Sequence, residues 1–251
     1  METAINPALR ISTMTLVAHI NSLIDLQKVY EKLSVNEKIT YLEYADKPPK
    51  GKKQKEVKRR KKDDHKKRKY FYNQVTLHIN IGKIINVKIF NNGGIQMTGL
   101  KKYSQSDEIL TFITDLFDEK GLIQSTEIKS REIVLINSDF DLGFKIIRER
   151  LHRLVTEKQY YSSFEPVIYP GVNIKYYYNL NNPIQNGICQ CDCVCNGKGK
   201  NKDCKKITIA VFNSGKALVT GGRHPTEINT AYHFITTLID ENKELLMESE
   251  E

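Results

Sequence analysis

A self-match at a fixed offset of 122 residues constrains this chain more than any other feature: FNNGGIQMTGLK, from Phe90 to Lys101, lies over FNSGKALVTGGR, from Phe212 to Arg223. The match runs on into the segment that follows. Eleven of the thirty positions from 90 to 119 are identical to their counterparts, among them Phe90/Phe212, Gly93/Gly215, Thr98/Thr220, Phe112/Phe234 and Asp118/Asp240. Identity at that density marks a tandem duplication, so any fold assigned to the first copy must serve twice.

Each copy reads the same way. NVKIF and TIAVF alternate with the period of a half-buried strand. Asn92-Gly93 and Ser214-Gly215 then supply tight turns, and IQMTG and ALVTG return as antiparallel partners. A helix follows. Ile109, Phe112, Ile113, Leu116 and Phe117 form its apolar stripe in the first copy, and Ile228, Tyr232, Ile235 and Ile239 in the second, with Thr226 as the expected N-cap. Upstream, ISTMTLVAHI precedes IDLQKVYEKL, and REIVLINSDFDL precedes FKIIRERLHRLV, a strand and a helix each time. The order per copy is therefore strand, helix, four-strand meander, helix. Two copies predict an α+β fold, one antiparallel sheet of about ten strands with four helices on its convex face. The repeats are set at 9–120 and 121–245, followed by an acidic tail at 246–251.

The formal net charge of +9 comes from one segment. Between Lys47 and Lys69 the chain carries 14 Lys or Arg against 3 Asp or Glu, so the remainder is slightly acidic. With Val57 as its single aliphatic residue, this insert cannot bury a face. It reads as a solvated loop, open to nonspecific phosphate binding or to use as a nuclear localisation signal. No run approaches the roughly 18 apolar residues of a membrane span. The N-terminus, METAINPALRIS, lacks the layout of a signal peptide, and neither membrane insertion nor secretion is expected.

All five cysteines, Cys189, Cys191, Cys193, Cys195 and Cys204, fall in a second insert at 185–204. The first four alternate, which lines them along one face of a strand or crowds them in a loop, and converging thiolates there would hold a structural zinc ion. The C-x-C spacing differs from the C-x2-C of common zinc knuckles, and no His lies in the stretch. A reduced, exposed loop without metal is the competing reading. An intracellular setting argues against disulfides, and no other cofactor is implied.

Parity assigns the two faces of the sheet. Val75, Leu77, Ile79, Val87 and Ile89 turn toward the helices, while Tyr72, His78, Lys88, Phe90, Gln96 and Thr98 turn away. In the second copy Phe212, Leu218 and Thr220 join the uncovered face. A bare face carrying Phe, Leu and Thr is a binding surface.

Taken together, these residues resemble the TATA-box-binding protein (TBP) family, and particularly the divergent TBP-like proteins of giant DNA viruses. SSFEPVIYPGVNIKY, from Ser162 to Tyr176, is similar to that family's second-repeat signature, ITIAVFNSGKALVTGGR to its following hairpin, and IDLQKVYEKL to its first helix. The resemblance covers nearly the whole chain apart from the two inserts. It implies a saddle whose open face enters the DNA minor groove, TBP being the type case of aromatic wedges that unstack base steps there. The implied wedges are Tyr72, Phe90, Tyr169 and Phe212, with Phe71 and Asn73 one register slip from Tyr72. His78, Lys88, Gln96, Thr98, Leu218 and Thr220 would line the groove face. Lys101, Lys175, Lys216 and Arg223 would meet phosphates, one family lysine having become Gly94. Two asparagines that the family places near its pseudo-twofold axis correspond to Leu9 and Leu135, with Asn137 two residues away, which implies an altered or relaxed sequence preference. Glu165 and Ile168 occupy the stirrup through which the family binds TFIIB.

The function so implied is a transcription initiation factor that binds and bends AT-rich promoter DNA. It would recruit a TFIIB-like factor and the RNA polymerase machinery, in the nucleus or in a cytoplasmic viral factory. A second reading keeps the fold as an adaptor for transcription proteins with little specific DNA binding. Dimerisation through the open face in the absence of DNA stays open. No P-loop, H-E-x-x-H, G-x-S-x-G or spaced carboxylate cluster occurs, and the histidines are scattered, so enzymatic activity is not expected.

Overall fold

Alternation in RISTMTLVAHI becomes strand β1 (Arg10–Ile20), in which Met14, Leu16, Ala18 and Ile20 are buried while Val17 and His19 are half-exposed. The computed structural model describes residues 5–52, 70–181, 183–192, 195–199 and 204–248. Most of the basic insert (53–69) and Cys193 lie outside the described residues. After β1 come α1 (Leu26–Lys32), β2 (Ile39–Tyr44), β3 (Lys50–Gly51), β4 (Gln74–Asn80), β5 (Ile84–Phe90), β6 (Gly94–Leu100) and α2 (Gln105–Glu119). The second copy gives β7 (Ile128–Asp141), α3 (Arg148–Glu157), β8 (Tyr161–Ser163), β9 (Val172–Tyr178), β10 (Lys205–Val211), β11 (Lys216–Gly222), α4 (Pro225–Asp240) and the single turn α5 (Lys243–Leu246). The expected α+β order is thus present twice. Short β3 and α5 are the additions.

The chain packs as two units, Met14–Val134 and Met1–Thr13 with Leu135–Glu251. In the first, the antiparallel strand order is β3-β2-β4-β5-β6-β1, and in the second β7-β11-β10-β9-β8. Arg10 to Thr13, at the start of β1, therefore belong with the second copy. There the Arg10 guanidinium pairs with Asp139 at 2.8 Å, and Ser12 Oγ donates to the Asn137 carbonyl at 3.0 Å.

Helices cover one face in each unit. In the first, α1 packs on β2 and β4 and α2 on β6; in the second, α3 packs on β8 and β9, and α4 on β9, β10 and β11. Ile109, Ile113 and Phe117 of α2 are fully buried, as are Val75, Val87, Ile89 and Met97 in the strands. In the second unit Ile228, Ile235 and Ile239 are buried with Ile174, Ile207, Ile209 and Val219. Burying each such side chain stabilises the fold by about 1.5–3 kcal/mol, which is why the alternation dictates the layering. Tyr176, also fully buried, donates its hydroxyl proton to the Gln185 carbonyl at 2.8 Å and so ties down the start of the cysteine insert. Burial, with smaller contributions from Tyr160 and Tyr178, pushes that hydroxyl up to about 12.

The cap of α4 differs from expectation. Thr226 is not the N-cap; His224 is. Pro225 occupies the first helical position, where its fixed φ suits the helix and its missing N–H costs nothing, so the cap must precede it. His224 Nδ1 accepts the Thr226 N–H at 3.2 Å, and Glu227 Oε2 accepts the Arg223 and His224 N–H groups at 2.7 and 3.3 Å, closing a capping box.

Two predictions follow from this packing. Gly93 and Gly215, counterparts in the repeat, have φ of +87° and +82°, and a Cβ would strike the carbonyl oxygens of Ile20 and Ser22 in one case and Phe144 in the other. Gly93→Ala and Gly215→Ala should each lose at least about 1–3 kcal/mol in urea unfolding. Gly82→Ala, at φ +81° with open space around it, should lose less than either. The raised Tyr176 pKa means that the folded state holds its proton more tightly than the unfolded chain does, whose value is near 10. Its contribution is complete below pH 10 and drains away as pH rises toward about 12. Alkaline melting curves of Tyr176→Phe should lack that part of the decline.

Candidate nucleic-acid interface

Strand register carries the duplication onto the helix-free faces. In the first unit His78, Asn86, Thr98 and Thr15 form one row across β4, β5, β6 and β1. In the second, Lys175, Thr208, Thr220 and Asn137 form the same row across β9, β10, β11 and β7. Lateral bonds tie both rows. Asn86 Nδ2 lies 3.2 Å from His78 Nε2, and Thr15 Oγ1 donates to Thr98 Oγ1 at 3.3 Å. Lys175 Nζ donates to Thr208 Oγ1 at 3.0 Å. The adjacent row is Thr76, Lys88, Gln96 and Val17 in the first unit, and Asn173, Ala210, Leu218 and Asp139 in the second. Position for position, a cation and an amide in one copy stand where the other has Ala and Leu.

Aromatic residues end these faces. Phe90 closes β5 opposite Gln74, and Phe212, one step past the Val172 and Val211 pair, comes opposite Gly171. Tyr72 and Tyr169 each sit two residues before those partners, so register makes Tyr72, rather than Phe71 or Asn73, the counterpart of Tyr169. The rings of Tyr169 and Phe212 meet with centroids 5.7 Å apart and planes inclined by 59°, a geometry that contributes about 0.5–1.5 kcal/mol. Gly171 makes room for them, since a Cβ there would lie 3.0 Å from Tyr169 and 3.1 Å from Phe212. Burial raises the pKa of the Tyr169 hydroxyl. Both tips show three successive apolar side chains: Tyr70, Phe71 and Tyr72 in one unit, Val167, Ile168 and Tyr169 in the other, with Val167 100% and Ile168 84% exposed. Glu165, also exposed, turns this second tip by accepting the Ile168 and Tyr169 N–H groups at 2.9 Å through its carbonyl.

The cationic positions fall into two kinds. Lys101 and Lys216 are exposed, at the end of β6 and the start of β11. Lys175 is half-buried, and burial, with the charge of Lys206 second, lowers its pKa. Arg223 donates from Nη2 to the Lys198 carbonyl at 2.8 Å, which joins it to the cysteine insert. Lys83, not anticipated from the sequence, donates to the Gly99 carbonyl at 2.6 Å, its pKa lowered by burial and then by Lys101. An open hollow of about 650 Å³ in the second unit is lined by Arg10, Asp139, Phe212, Lys216 and Leu218 among others.

Two expectations need correction. His78 has the parity of the uncovered face but is only 7% exposed, its ring 4.9 Å from that of Tyr41. A register shift in β2 between Ile39 and Tyr41 sets Tyr41 opposite His78 and covers it. Leu9 precedes β1 and is buried at 6%. The offset of 122 instead sets Leu135 over Thr13, both half-exposed. Val17, Asn86, Thr208 and Asp139 share these rows without having been singled out, whereas Thr15, at 7%, is as buried as His78. Parity along β1 and β7 carried the signal, but only pairing with β6 and β11 ranks them beside the threonines. In the cysteine insert, the sulfur atoms of Cys189, Cys191, Cys195 and Cys204 all lie within 4.8 Å of one another, an arrangement able to hold a metal ion.

Comparison with known proteins bears on this geometry. Residues 130–242 match the family model described as transcription factor TFIID, or TATA-binding protein, TBP. The matched stretch lies in the second repeat. Over 252 aligned residues the chain is 26% identical to a TATA-box-binding protein-like protein of Acanthamoeba polyphaga mimivirus, covering 90% of this chain and 64% of that protein. Its fold is that of Methanococcus jannaschii TBP, with a TM-score of 0.60 at 18% identity over 94% of this chain and 99% of the archaeal one. The TBP fold thus extends to the first repeat, which the family model does not reach.

Proposed function

We propose that this protein binds the minor groove of double-stranded DNA through the helix-free faces of its two units, bends the duplex at its aromatic pairs and acts in transcription initiation. The paired placement of Tyr72 with Phe90 and of Tyr169 with Phe212, at matching register positions beside a bare strand face, carries this reading. A wedge that opens a base step costs a few kcal/mol of stacking, offset by apolar burial and by phosphate contacts that bending permits. Lys101, Lys175, Lys216 and Arg223 are the phosphate partners in this scheme, with Lys83 beside them. The mimivirus relative is named for TATA-box binding and the family description names a transcription factor, which agrees with it.

The unlike rows give the two units unlike preferences. In the minor groove, G·C differs from A·T chiefly by the guanine N2 amino donor. Ala210 and Leu218 offer that donor no acceptor, so the second unit selects A·T. Gln96 brings an amide oxygen to the corresponding place beside Lys88, and the first unit tolerates G·C. Thr13 and Leu135, at positions where the family uses asparagine, relax the central preference further. The exposed tip of Glu165, Val167 and Ile168 is the proposed dock for a TFIIB-like factor, through which the polymerase machinery is recruited.

End-to-end distance in a doubly labelled AT-rich duplex, followed by energy transfer, tests the bending. Wild type should shorten the distance and the Phe90→Ala, Phe212→Ala double variant should not. Binding without shortening that survives the double variant and disappears on deletion of residues 47–69 would assign affinity to the basic insert and overturn the reading in favour of an adaptor. Competition binding with oriented sites tests the asymmetry. An A·T to G·C change under the second unit should cost about 1–3 kcal/mol per base pair, and the same change under the first unit clearly less; equal penalties would refute the assigned roles of Leu218 and Gln96.

A further inference from the structure

We propose that Cys189, Cys191, Cys195 and Cys204 hold one structural zinc ion, which staples the second-repeat insert to the start of β10. All four sulfur atoms fall within a span of 4.8 Å, and those of Cys191 and Cys204 are 3.5 Å apart. Thiolates about 2.3 Å from a tetrahedral ion stand about 3.8 Å from each other, so the observed cluster is already close to a coordination sphere. The disulfide bond length of about 2.05 Å is far shorter than the Cys191–Cys204 separation. Four sulfur ligands with no carboxylate or imidazole select a soft, tetrahedral ion, zinc or iron, over magnesium or calcium.

The surrounding backbone is shaped for the same purpose. Beside Cys195 and Cys204, an antiparallel bridge joins Lys198 to Lys205, with the Gly199 N–H donating to the Cys204 carbonyl at 3.1 Å and the Lys206 N–H to the Gly197 carbonyl at 2.9 Å. Gly197, at φ +69°, also directs its N–H to Cys195 Sγ at 3.3 Å. Such N–H···S bonds spread the charge of a tetrathiolate centre and orient its ligands. Cys204 is wholly buried at the lip of β10, which makes it the fixed point of the site, while the other three come from chain with little core of its own. Ile188 of the insert and Ile184 just before it are exposed, 39% and 64%, so apolar burial contributes little there and metal ligation supplies the missing constraint. The same bridge carries the Lys198 carbonyl that holds the Arg223 guanidinium at 2.8 Å. On the DNA-binding reading above, the ion thereby sets a phosphate-binding side chain; the metal site itself does not depend on that reading.

The test uses the full chain purified under reducing conditions, with elemental analysis, cobalt titration of the chelator-stripped protein and mass spectrometry of alkylated thiols. One zinc per chain is expected, and cobalt should give the intense visible bands of a tetrahedral site together with thiolate-to-cobalt charge transfer. Zinc should protect Cys189, Cys191 and Cys195 from alkylation, Cys204 being buried already, while Cys193 still reacts. Cys193→Ser should keep the metal and the Cys195→Ser, Cys204→Ser pair should lose it; if that pair fails to fold, the cobalt spectrum of the wild type decides. Iron as the resident metal, a Cys191–Cys204 disulfide, absence of a tetrahedral cobalt spectrum, loss of metal from Cys193→Ser, or metal retained by the double variant would each overturn the assignment.

Discussion

One-sided coverage of the strands governs the rest of this structure. Each strand alternates between residues that must leave water and residues that need not, and helices α1 to α4 satisfy only the first set. Leu16, Val87, Ile89, Ile209 and Val219 are sealed, and the opposite row in each unit is left facing away from every helix. Because the side-chain period is two, a slip of one residue would exchange the two sets. The hydrophobic term thus holds register firmly, and register in turn positions the polar rows and the aromatic ends.

Duplication followed by unequal divergence explains the character of those rows. The lateral bonds recur, with Asn86 beside His78 in one unit and Lys175 on Thr208 in the other, so the scaffold tolerates change of chemistry without change of place. Divergence is greatest one row over, where Lys88 and Gln96 correspond to Ala210 and Leu218. A carboxylate, Asp139, also lies in that second row, and its pairing with Arg10 offsets its charge. Since Arg10 is supplied by the first strand of the chain, the second unit's face is completed by residues far away in sequence.

Much of this was legible beforehand, and what failed did so for identifiable reasons. Hairpins, helix stripes and the repeat itself are local, carried by turn glycines and by periods of two and 3.6. The α4 cap was missed because Thr226 satisfies a composition rule while Pro225 shifts the boundary two residues earlier, to His224. Leu9 was misplaced because it lies outside β1, where no pairing anchors an alignment, whereas the constant offset leads to Thr13. His78 had the right parity and the wrong exposure, since parity says which way a side chain points and nothing about a neighbour such as Tyr41 that covers it.

By itself the sequence determined the duplication, the order of elements, the α+β class, and the sidedness of the strands, because each is set by interactions between residues near in the chain or by identity at one offset. Only the tertiary structure decided which side chains share a row, that Tyr72 answers to Tyr169, that Arg10 neutralises Asp139, and that four cysteines spaced irregularly along an insert converge within 4.8 Å. These are cross-strand and loop-closure relations. Their partners lie from a few to more than a hundred residues apart, and for the strand partners it is burial of the sheet face, which no short segment encodes, that brings them together.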